Sequence, residues 1–147
     1  MPSPKDGNPL QCMCSRMRRA TRLMTRMYDA ALSTAGVNAS QFELLGNIRG
    51  RQPVDQRTLV RAIDSDQTTI SRNLAVLLER GLIELSGDEK DRRKNLYRLT
   101  KAGADSLSHA FECWEKVQTQ LQQRIGGAQW KGLMELTSNV ARAISEL

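Results

Sequence analysis

Apolar residues recur every three or four positions in four stretches of the N-terminal half of the chain, which is the spacing of one face of an α-helix. In the first stretch, methionines and alanines form one face and arginines the other. Asn or Asp side chains that can cap a helix precede the later stretches. The pattern predicts four helices. They run from Leu10 to about Thr34, from Asn38 to about Gly50, from Asp55 to Ile63 and, after the turn Asp64-Ser65-Asp66 with its two possible caps, to Arg80.

A charged hairpin is predicted to follow the fourth helix. Two short segments with strand-like composition, Leu82–Leu85 and Asn95–Leu99, flank a polar turn that contains a glycine. Thr100 then caps a long helix that is predicted to reach about Ile125, and after a Gly-Gly break a last helix runs to Leu147. This order predicts a mainly α fold with a small β-hairpin wing, a winged helix-turn-helix.

The chain has 147 residues, the length of a single compact domain. Residues 37–103 are expected to form the winged-helix lobe that would bind DNA, and residues 10–36 with 104–147 a helical dimerisation region. The polar residues 1–9 are expected to be a flexible N-terminus. The helices at both chain ends are rich in Met, Leu and Ala but have few aromatic partners in the chain, so we expect them to pack in a homodimer.

Positive charge exceeds negative charge, with 22 Lys or Arg against 16 Asp or Glu and a formal charge of +6. The excess lies in residues 1–103, a distribution that fits a surface for double-stranded DNA beside a near-neutral interaction region. No apolar stretch reaches the roughly 18 residues that a membrane span needs, and the N-terminus lacks the apolar core of a secretion signal. We therefore expect a cytoplasmic protein with no membrane partner and, because its three cysteines are odd in number, no disulfide scaffold.

The fourth predicted helix has the chemistry of a DNA recognition helix. Its apolar residues lie on one face, and short polar side chains with one arginine lie near its N-terminus. Side chains of these types hydrogen-bond to base edges in the major groove, although a solvated helix face has a similar composition. The predicted groove residues are Gln67, Thr68, Thr69, Ser71, Arg72 and Asn73.

The tip of the predicted hairpin concentrates positive charge. Arg92, Arg93 and Lys94 follow Asp91 there. A projecting basic tip can place an arginine in a narrow minor groove, where the potential is most negative, and Asp91 can brace one of the arginines. The alternative is a solvated turn, because acidic residues precede the cations.

Five segments together resemble the MarR family of winged-helix regulators, from about Cys14 to the C-terminus. The Asp-Arg-Arg wing followed by Leu-Thr-x-x-Gly is the most specific part of the resemblance. The segments, in order, are Leu59-Val60-Arg61-Ala62-Ile63, Thr69-Ile70-Ser71-Arg72, Leu77-Leu78-Glu79-Arg80-Gly81-Leu82-Ile83, Asp91-Arg92-Arg93 and Leu99-Thr100-Lys101-Ala102-Gly103.

This resemblance implies an obligate homodimer on a pseudo-palindromic operator, with an interface built from the first helix and the last two. It implies that Thr68, Thr69 and Arg72 read the major groove, and that Arg92 and Arg93 serve the wing. Repression by blocking a promoter is the usual mode of the family.

The cysteines raise the question of what the protein senses. Cys14 and Tyr28 resemble the peroxide-reacting cysteine and partner tyrosine of the organic-hydroperoxide sensors in this family, which have further tyrosines at the positions of Arg18 and Ala39. Thiolates are favoured at helix N-termini and beside cations, and Cys12 is a nearby second thiol. The segment is therefore a candidate redox site; the alternative is small apolar residues at a dimer interface.

A metal site is a second interpretation of the same cysteines. His109 and Cys113 are one turn apart on the fifth predicted helix, and Cys12 and Cys14 could complete four nitrogen and sulfur ligands. Single histidines on long helices are more often packed or exposed. The main expectation is therefore that the protein has no metal and no other cofactor.

A small organic effector, often an aromatic or phenolic acid in the family, is the third option. It would bind between the dimer helices and the DNA-binding lobe, with Arg16, Arg19 and Arg22 as candidate partners of its carboxylate. An enzyme is not expected, because the chain has none of the common phosphate-binding, nucleophile-elbow or metalloprotease motifs and only one histidine. A thiol enzyme that uses Cys14 is the alternative in that class.

Overall fold

The structure, a computed structural model, describes residues 12–87 and 95–145. The fold is mainly α with a small antiparallel sheet, as the sequence predicts, and a turn of 3-10 helix links the first two helices. The elements are α1 (Met13–Leu32), α2 (Ala39–Arg51), β1 (Val54–Asp55), α3 (Gln56–Ile63), α4 (Gln67–Glu79), β2 (Ile83–Gly87), β3 (Asn95–Leu99), α5 (Lys101–Ile125) and α6 (Gly127–Ser145).

Side-chain caps mark the starts of α2, α3, α4 and α5. The Asn38 side chain accepts a hydrogen bond from the Gln41 amide at 2.9 Å, and the Gln41 side chain accepts one from the Asn38 amide at 3.2 Å, which forms a capping box at α2. Asp55, Asp66 and Thr100 cap α3, α4 and α5 in the same way, each through the amide three residues later. The predicted caps Asn38, Asp55 and Thr100 are confirmed, and for α4 the structure uses Asp66 of the two candidate caps in the preceding turn.

The sheet has a third strand that the sequence analysis did not predict. The strand order is β1-β3-β2, and both pairings are antiparallel. Val54, which directly precedes the cap of α3, pairs with Tyr97 and is buried. A strand of two residues is too short to show an alternating pattern, so this pairing leaves no signal in the sequence.

The hydrophobic core lies where α2, α3, α4 and α5 meet the sheet and the end of α1. The largest fully buried side chains are Leu32, Leu44, Leu45, Ile48, Leu59, Leu74, Leu77, Ile83 and Leu107. In contrast, none of the described residues of α6 is buried. No helix within the described ranges combines the length and the apolar character that crossing a lipid bilayer requires.

Candidate functional site

The outward face of α4 presents most of the polar residues that were predicted to enter the major groove. Gln67, Thr68, Ser71 and Arg72 are exposed and line a shallow surface groove together with Ala75. The opposite face carries the buried Ile70, Leu74 and Leu77. The packing of that apolar face against the core fixes which side chains of α4 point away from the protein.

Thr69 and Asn73, also predicted as groove residues, make contacts within α4. The Thr69 hydroxyl donates to Asp66 Oδ2 at 2.6 Å and the Thr69 amide to Asp66 Oδ1 at 2.8 Å. These hydrogen bonds, led by that of the Thr69 side chain, lower the pKa of Asp66 below its ordinary value. Asn73 is half-buried, and its Nδ2 donates to the Thr69 carbonyl at 3.2 Å. The Thr69 oxygen therefore remains available to DNA only as an acceptor.

Beside α4 lies a second element of the same surface, which the sequence analysis missed. A cleft of about 620 Å³ separates α3 from the start of α4 and from β3. Arg57 and Arg61 lie one turn apart on α3 and are exposed there. Gln67 lines both this cleft and the α4 groove, so the two form one continuous surface. The basic cleft is lined by Asp55, Gln56, Arg57, Val60, Arg61, Gln67, Asn95 and Tyr97.

A signal for these arginines does exist in the sequence. Arg57 and Arg61 are at positions i and i+4 of a helix whose apolar residues were assigned to the core, so they share its polar face. The predicted wing residues Asp91, Arg92, Arg93 and Lys94 lie outside the described residues. Of the wing, the structure describes the strands, which pair as far as Gly87 and Asn95.

A different cleft, of about 410 Å³, lies between α1, α2 and α5 on the other part of the molecule. We call it the aromatic cleft, because three rings form its wall. The Phe42 and Phe111 ring centroids are 5.1 Å apart in an edge-to-face arrangement, and Trp114 lies 6.3 Å and 6.2 Å from them. The cleft is lined by Tyr28, Leu32, Ala39, Phe42, Glu43, Gly46, Asn47, Phe111 and Trp114.

Three polar side chains line the aromatic cleft. The Tyr28 hydroxyl donates a short hydrogen bond to Gln118 Oε1, and burial raises the pKa of Tyr28. Asn47 Nδ2 donates to the Glu43 carbonyl at 2.9 Å, and Asn47 Oδ1 accepts from Arg51 at 2.8 Å. Burial also raises the pKa of the Glu43 carboxyl. A concave apolar site with a few polar groups has the character of a small-molecule pocket.

The candidate redox residues do not come together within one chain. Cys14 is exposed near the start of α1, where Arg18 Nη2 donates to Cys14 Sγ at 3.4 Å. Tyr28 lies 14 residues further along the same helix, roughly 21 Å away at a rise of about 1.5 Å per residue. Cys12 precedes α1 and is exposed as well.

The four metal candidates are not assembled either. Cys113 is buried in α5, where its sulfur lies 3.3 Å from Thr34 Oγ1, whereas His109 on the same helix is exposed. Across residues 12–87 and 95–145, no group of three or more His, Cys, Asp or Glu side chains is placed to hold a metal ion. Cys12 and Cys14 at the start of α1 therefore do not complete a site with the α5 pair in the single chain.

Comparisons of the sequence with known proteins identify a family. A family model described as the MarR family matches residues 35–94. The HTH-type transcriptional repressor NicR of Pseudomonas putida is 31% identical over 101 residues, which are 69% of this chain. The match spans 64% of the length of NicR.

Comparisons of the structure agree with this result. The M. tuberculosis transcriptional regulator MosR, solved in complex with DNA, is 29% identical with a TM-score of 0.81, over 92% of this chain and 98% of that chain. The PcaV regulator from Streptomyces coelicolor, solved in complex with its natural ligand, has a TM-score of 0.83 over 98% of this chain and 99% of PcaV. At 20% identity, PcaV shows the likeness of the fold alone.

Proposed function

The chain belongs to the MarR family of winged-helix transcriptional regulators, and on this premise we propose that it binds double-stranded DNA as a homodimer and represses transcription. The observation that carries the proposal is the exposed polar face of α4, which continues through Gln67 into the basic cleft. A helix of this size fits the major groove, and the arginines beside it would contact the phosphates. The DNA complex of the similar regulator MosR supports this arrangement.

Each part of the surface has its own task in this proposal. Gln67, Thr68, Ser71 and Arg72 read base edges, Thr69 accepts a hydrogen bond from a base, and Asn73 holds the helix from within. Arg57 and Arg61 bind the DNA backbone and set the register of α4. At the wing tip, Arg92, Arg93 and Lys94 approach the minor groove with Asp91 as a brace.

The homodimer uses the helices at the two ends of the chain. In α6, Leu133, Met134, Leu136 and Ile144 are 38–64% exposed, and in α1 Met13 and Leu23 are more than half exposed. Apolar side chains that remain exposed on two long helices support a protein interface there, because a monomer rarely leaves so much apolar surface in water. A two-fold axis through this interface would place two α4 helices on the same side of the DNA.

An effector would control DNA binding through the aromatic cleft. The cleft lies between α1, which belongs to the proposed interface, and α2, which packs against α3 and α4. Occupancy would shift these helices relative to each other and change the separation of the two α4 helices, so that one half-site is lost. The ligand complex of the structural neighbour PcaV supports an effector in this fold.

Selection from random-sequence duplexes tests the proposed function. We expect the purified protein to enrich a two-fold symmetric sequence and to bind it more tightly than an unrelated duplex in fluorescence anisotropy. Affinity should fall steeply with salt, because each neutralised phosphate contributes a slope of about −0.9 to the plot of log K against log salt. Enrichment of no sequence, or equal affinity for all duplexes, contradicts the proposal.

A cytoplasmic location and a non-enzymatic role remain predictions that accompany the proposed function.

Oxidation of Cys14 is a second candidate trigger, favoured by the Arg18 contact and by the exposure of the thiol. A hydroperoxide would oxidise the sulfur to sulfenic acid and would itself be reduced to the alcohol. The test compares binding of the selected duplex with and without an organic hydroperoxide in the parent and in Cys14→Ser. Release of DNA from both proteins excludes Cys14 as the trigger, and release from neither leaves the non-redox effector.

A further inference from the structure

The α1–α2 link, residues 33–37, is held by side chains from two other helices. The Ser106 hydroxyl of α5 donates a hydrogen bond to the Ala35 carbonyl at 2.9 Å. The Arg80 guanidinium, at the end of α4, donates to the next carbonyl, that of Gly36, at 2.5 Å. Two successive carbonyls of the link are therefore bound, one from the proposed dimerisation region and the other from the winged-helix lobe.

The backbone of the link is shaped for the contact with Arg80. Gly36 has a φ of +74°, in the left-handed region that glycine adopts without strain. A Cβ there would lie 3.1 Å from Arg80 Nη2, so the guanidinium group is packed against the link as well as hydrogen-bonded to it. The Gly36 amide donates to the Ser33 carbonyl at 2.9 Å and the Val37 amide to the Leu32 carbonyl at 3.3 Å. A link with so many fixed groups transmits a rotation instead of absorbing it.

The contact of Arg80 joins α4 to the connection between the lobe and the helices of the proposed dimer. Through the buried Ile70, Leu74 and Leu77, α4 packs within the lobe, where its neighbours are α2, α3 and β2. In turn, α2 packs against α1 and α5 and so attaches the lobe to them. Arg80 adds a direct connection from the end of α4 to the α1–α2 link. Its charge strengthens this connection, because a hydrogen bond from a charged donor is about twice as strong as a neutral one.

The position of Arg80 makes DNA binding sensitive to this contact. The helix α4 has 13 residues and is about 20 Å long, at a rise of about 1.5 Å per residue. Its proposed base-reading residues begin at Gln67, at the opposite end. A tilt of about 5° at the Arg80 end would displace the first turn by roughly 2 Å. Helix shifts of about 1–2 Å are enough to switch subunit interfaces between two states.

From these contacts we propose that Arg80 is a positioning residue, which sets the separation of the two α4 helices in the dimer and so the half-site spacing that the protein accepts. The inference rests on the proposed function, because it concerns a dimer on a two-fold symmetric duplex. Arg80 acts through the α1–α2 link and not on the bases. Without its side chain, each α4 stays packed in its lobe, but the lobe is free to tilt. The protein then discriminates less between duplexes of different spacing.

Duplexes that differ only in spacing measure this role. Fluorescence anisotropy gives the affinity for the selected duplex, for versions with one base pair added or removed between its halves, and for a single half-site. For Arg80→Ala we expect the affinity for the selected duplex to fall about three- to tenfold, the loss expected for one charged hydrogen bond. The preference over the altered spacings should fall at least about threefold, with the half-site affinity unchanged. Arg80→Lys, which keeps a charged donor, should restore part of the preference.

Ser106→Ala tests the α1–α2 link from the other side. It removes the hydroxyl that holds the Ala35 carbonyl and should relax the spacing preference in the same way. Because both side chains hold one segment, the double variant should lose less than the sum of the two single losses. The matched control is Arg124→Ala, which removes the same charge from an exposed position in the last turn of α5 and should bind like the parent. Sedimentation and circular dichroism check that every variant is a folded dimer.

Two results overturn the inference. It fails if Arg80→Ala keeps the preference of the parent between the spacings. It also fails if Arg80→Ala lowers the affinity for the half-site and for every spacing by the same factor, as a loss of folded protein would. The parent separates this failure from that of the proposed function. A parent that discriminates between the spacings as strongly as Arg80→Ala remains a dimeric regulator without this positioning residue, whereas a parent that binds all duplexes alike refutes the proposed function.

Discussion

In the proposed DNA interface, Thr69 has two tasks, because it stabilises its own helix and faces DNA. Its amide and hydroxyl both donate to the Asp66 carboxylate, so the first turn of α4 is held before any DNA is present. With its donor used, the Thr69 oxygen can only accept, which suits the amino group of adenine or cytosine. A rigid first turn reduces the entropy that is lost when the helix enters the groove.

Base-reading and phosphate-binding arginines should respond differently to substitution. We expect Arg72→Ala to weaken binding to the selected duplex by about 1–3 kcal/mol and to relax the preference for one base pair. Arg57→Ala and Arg61→Ala should weaken all duplexes alike and lower the salt slope by about 0.9 for each phosphate that is no longer neutralised. Anisotropy titrations at several salt concentrations, with the selected and with mismatched duplexes, measure both effects.

Arg124→Ala is the control for these variants, because this exposed arginine lies in the last turn of α5, away from α4 and the basic cleft. Its affinity should equal that of the parent. The assignment of the surface is wrong if Arg72→Ala binds like this control, or if it lowers the affinity for matched and mismatched duplexes equally.

At the residue scale, sequence reasoning identified the polar face of α4 but not its neighbours in space. The 3.6-residue helical repeat places Arg72 on the face of α4 opposite the buried Leu74, so the exposure of Arg72 could be predicted. Arg57 and Arg61 were equally visible as a polar pair. That they line the same cleft as Gln67, however, depends on the angle between α3 and α4. The spacing of apolar residues within each helix gives no information on this angle.

Among the elements, α4 depends on the ionised form of its cap. Because hydrogen bonds lower the folded-state pKa of Asp66, the cap stabilises the fold above the ordinary Asp pKa of about 3.9 and loses this effect as the pH falls through the folded-state value. We expect Asp66→Asn, which keeps a capping oxygen, to lose less stability than the parent between about pH 5 and the acid limit near about pH 2. Urea unfolding followed by circular dichroism measures this.

The quantity to compare is the difference in free energy of unfolding between the parent and Asp66→Asn at each pH, since the other carboxyl groups titrate in both proteins. Parallel curves over the whole range would mean that Asp66 does not contribute through its charge. Operator affinity of Asp66→Asn at neutral pH serves as a second check, because a retained cap should leave α4 able to bind.

The junction between α4 and α5 is built by a threonine and a glycine. The Thr100 hydroxyl donates to the Gly81 carbonyl at 2.7 Å and accepts from the Gly103 amide at 3.0 Å, which joins the end of one helix to the start of the other. A Cβ at Gly103 would lie 1.8 Å from the Leu82 carbonyl oxygen. The Leu-Thr-x-x-Gly segment of the sequence therefore has a steric explanation.

Gly103→Ala should destabilise the protein through this close approach. We expect a decrease of about 1–3 kcal/mol in the free energy of unfolding, because a backbone carbonyl cannot move aside as a side chain would. Gly50→Ala is the matched control, since a methyl group at Gly50 would have nothing within 4 Å and alanine favours the helix by roughly 0.5–1 kcal/mol. Urea denaturation measures the free energy of unfolding of both variants. If Gly103→Ala is as stable as Gly50→Ala, α5 does not pack closely on Leu82.

Over the whole molecule, the order of elements could be predicted and the clefts could not. Helix caps such as Asn38 and Thr100 and the periodic apolar faces are local features of the sequence. They predict helices at the positions where the structure has α2, α4 and α5. The aromatic cleft joins Tyr28, Phe42 and Trp114, which are far apart in sequence. Phe42 is partly buried against the core, and its ring also borders the cleft.

Assembly of two chains is the property on which the proposed DNA binding depends. In α6, Leu136 is 64% exposed, and Leu133 and Val140 lie about one turn before and after it on the same face of the helix. A charge in the middle of this face cannot be buried without a partner, so Leu136→Glu should dissociate the dimer at micromolar concentration in sedimentation equilibrium. Ser138→Glu, about 200° around the same helix, should remain dimeric.

The same pair of variants links assembly to DNA geometry. Two α4 helices related by a two-fold axis should meet successive major grooves about 34 Å apart, one turn of the duplex. Insertion of half a turn, about five base pairs, between the two halves of the selected sequence should reduce the affinity of the parent and of Ser138→Glu to that of a single half-site. Leu136→Glu should bind both duplexes with the same weak affinity, because a monomer contacts only one half. A Leu136→Glu protein that sediments as a dimer and still discriminates the two duplexes would place the interface elsewhere than on this face of α6.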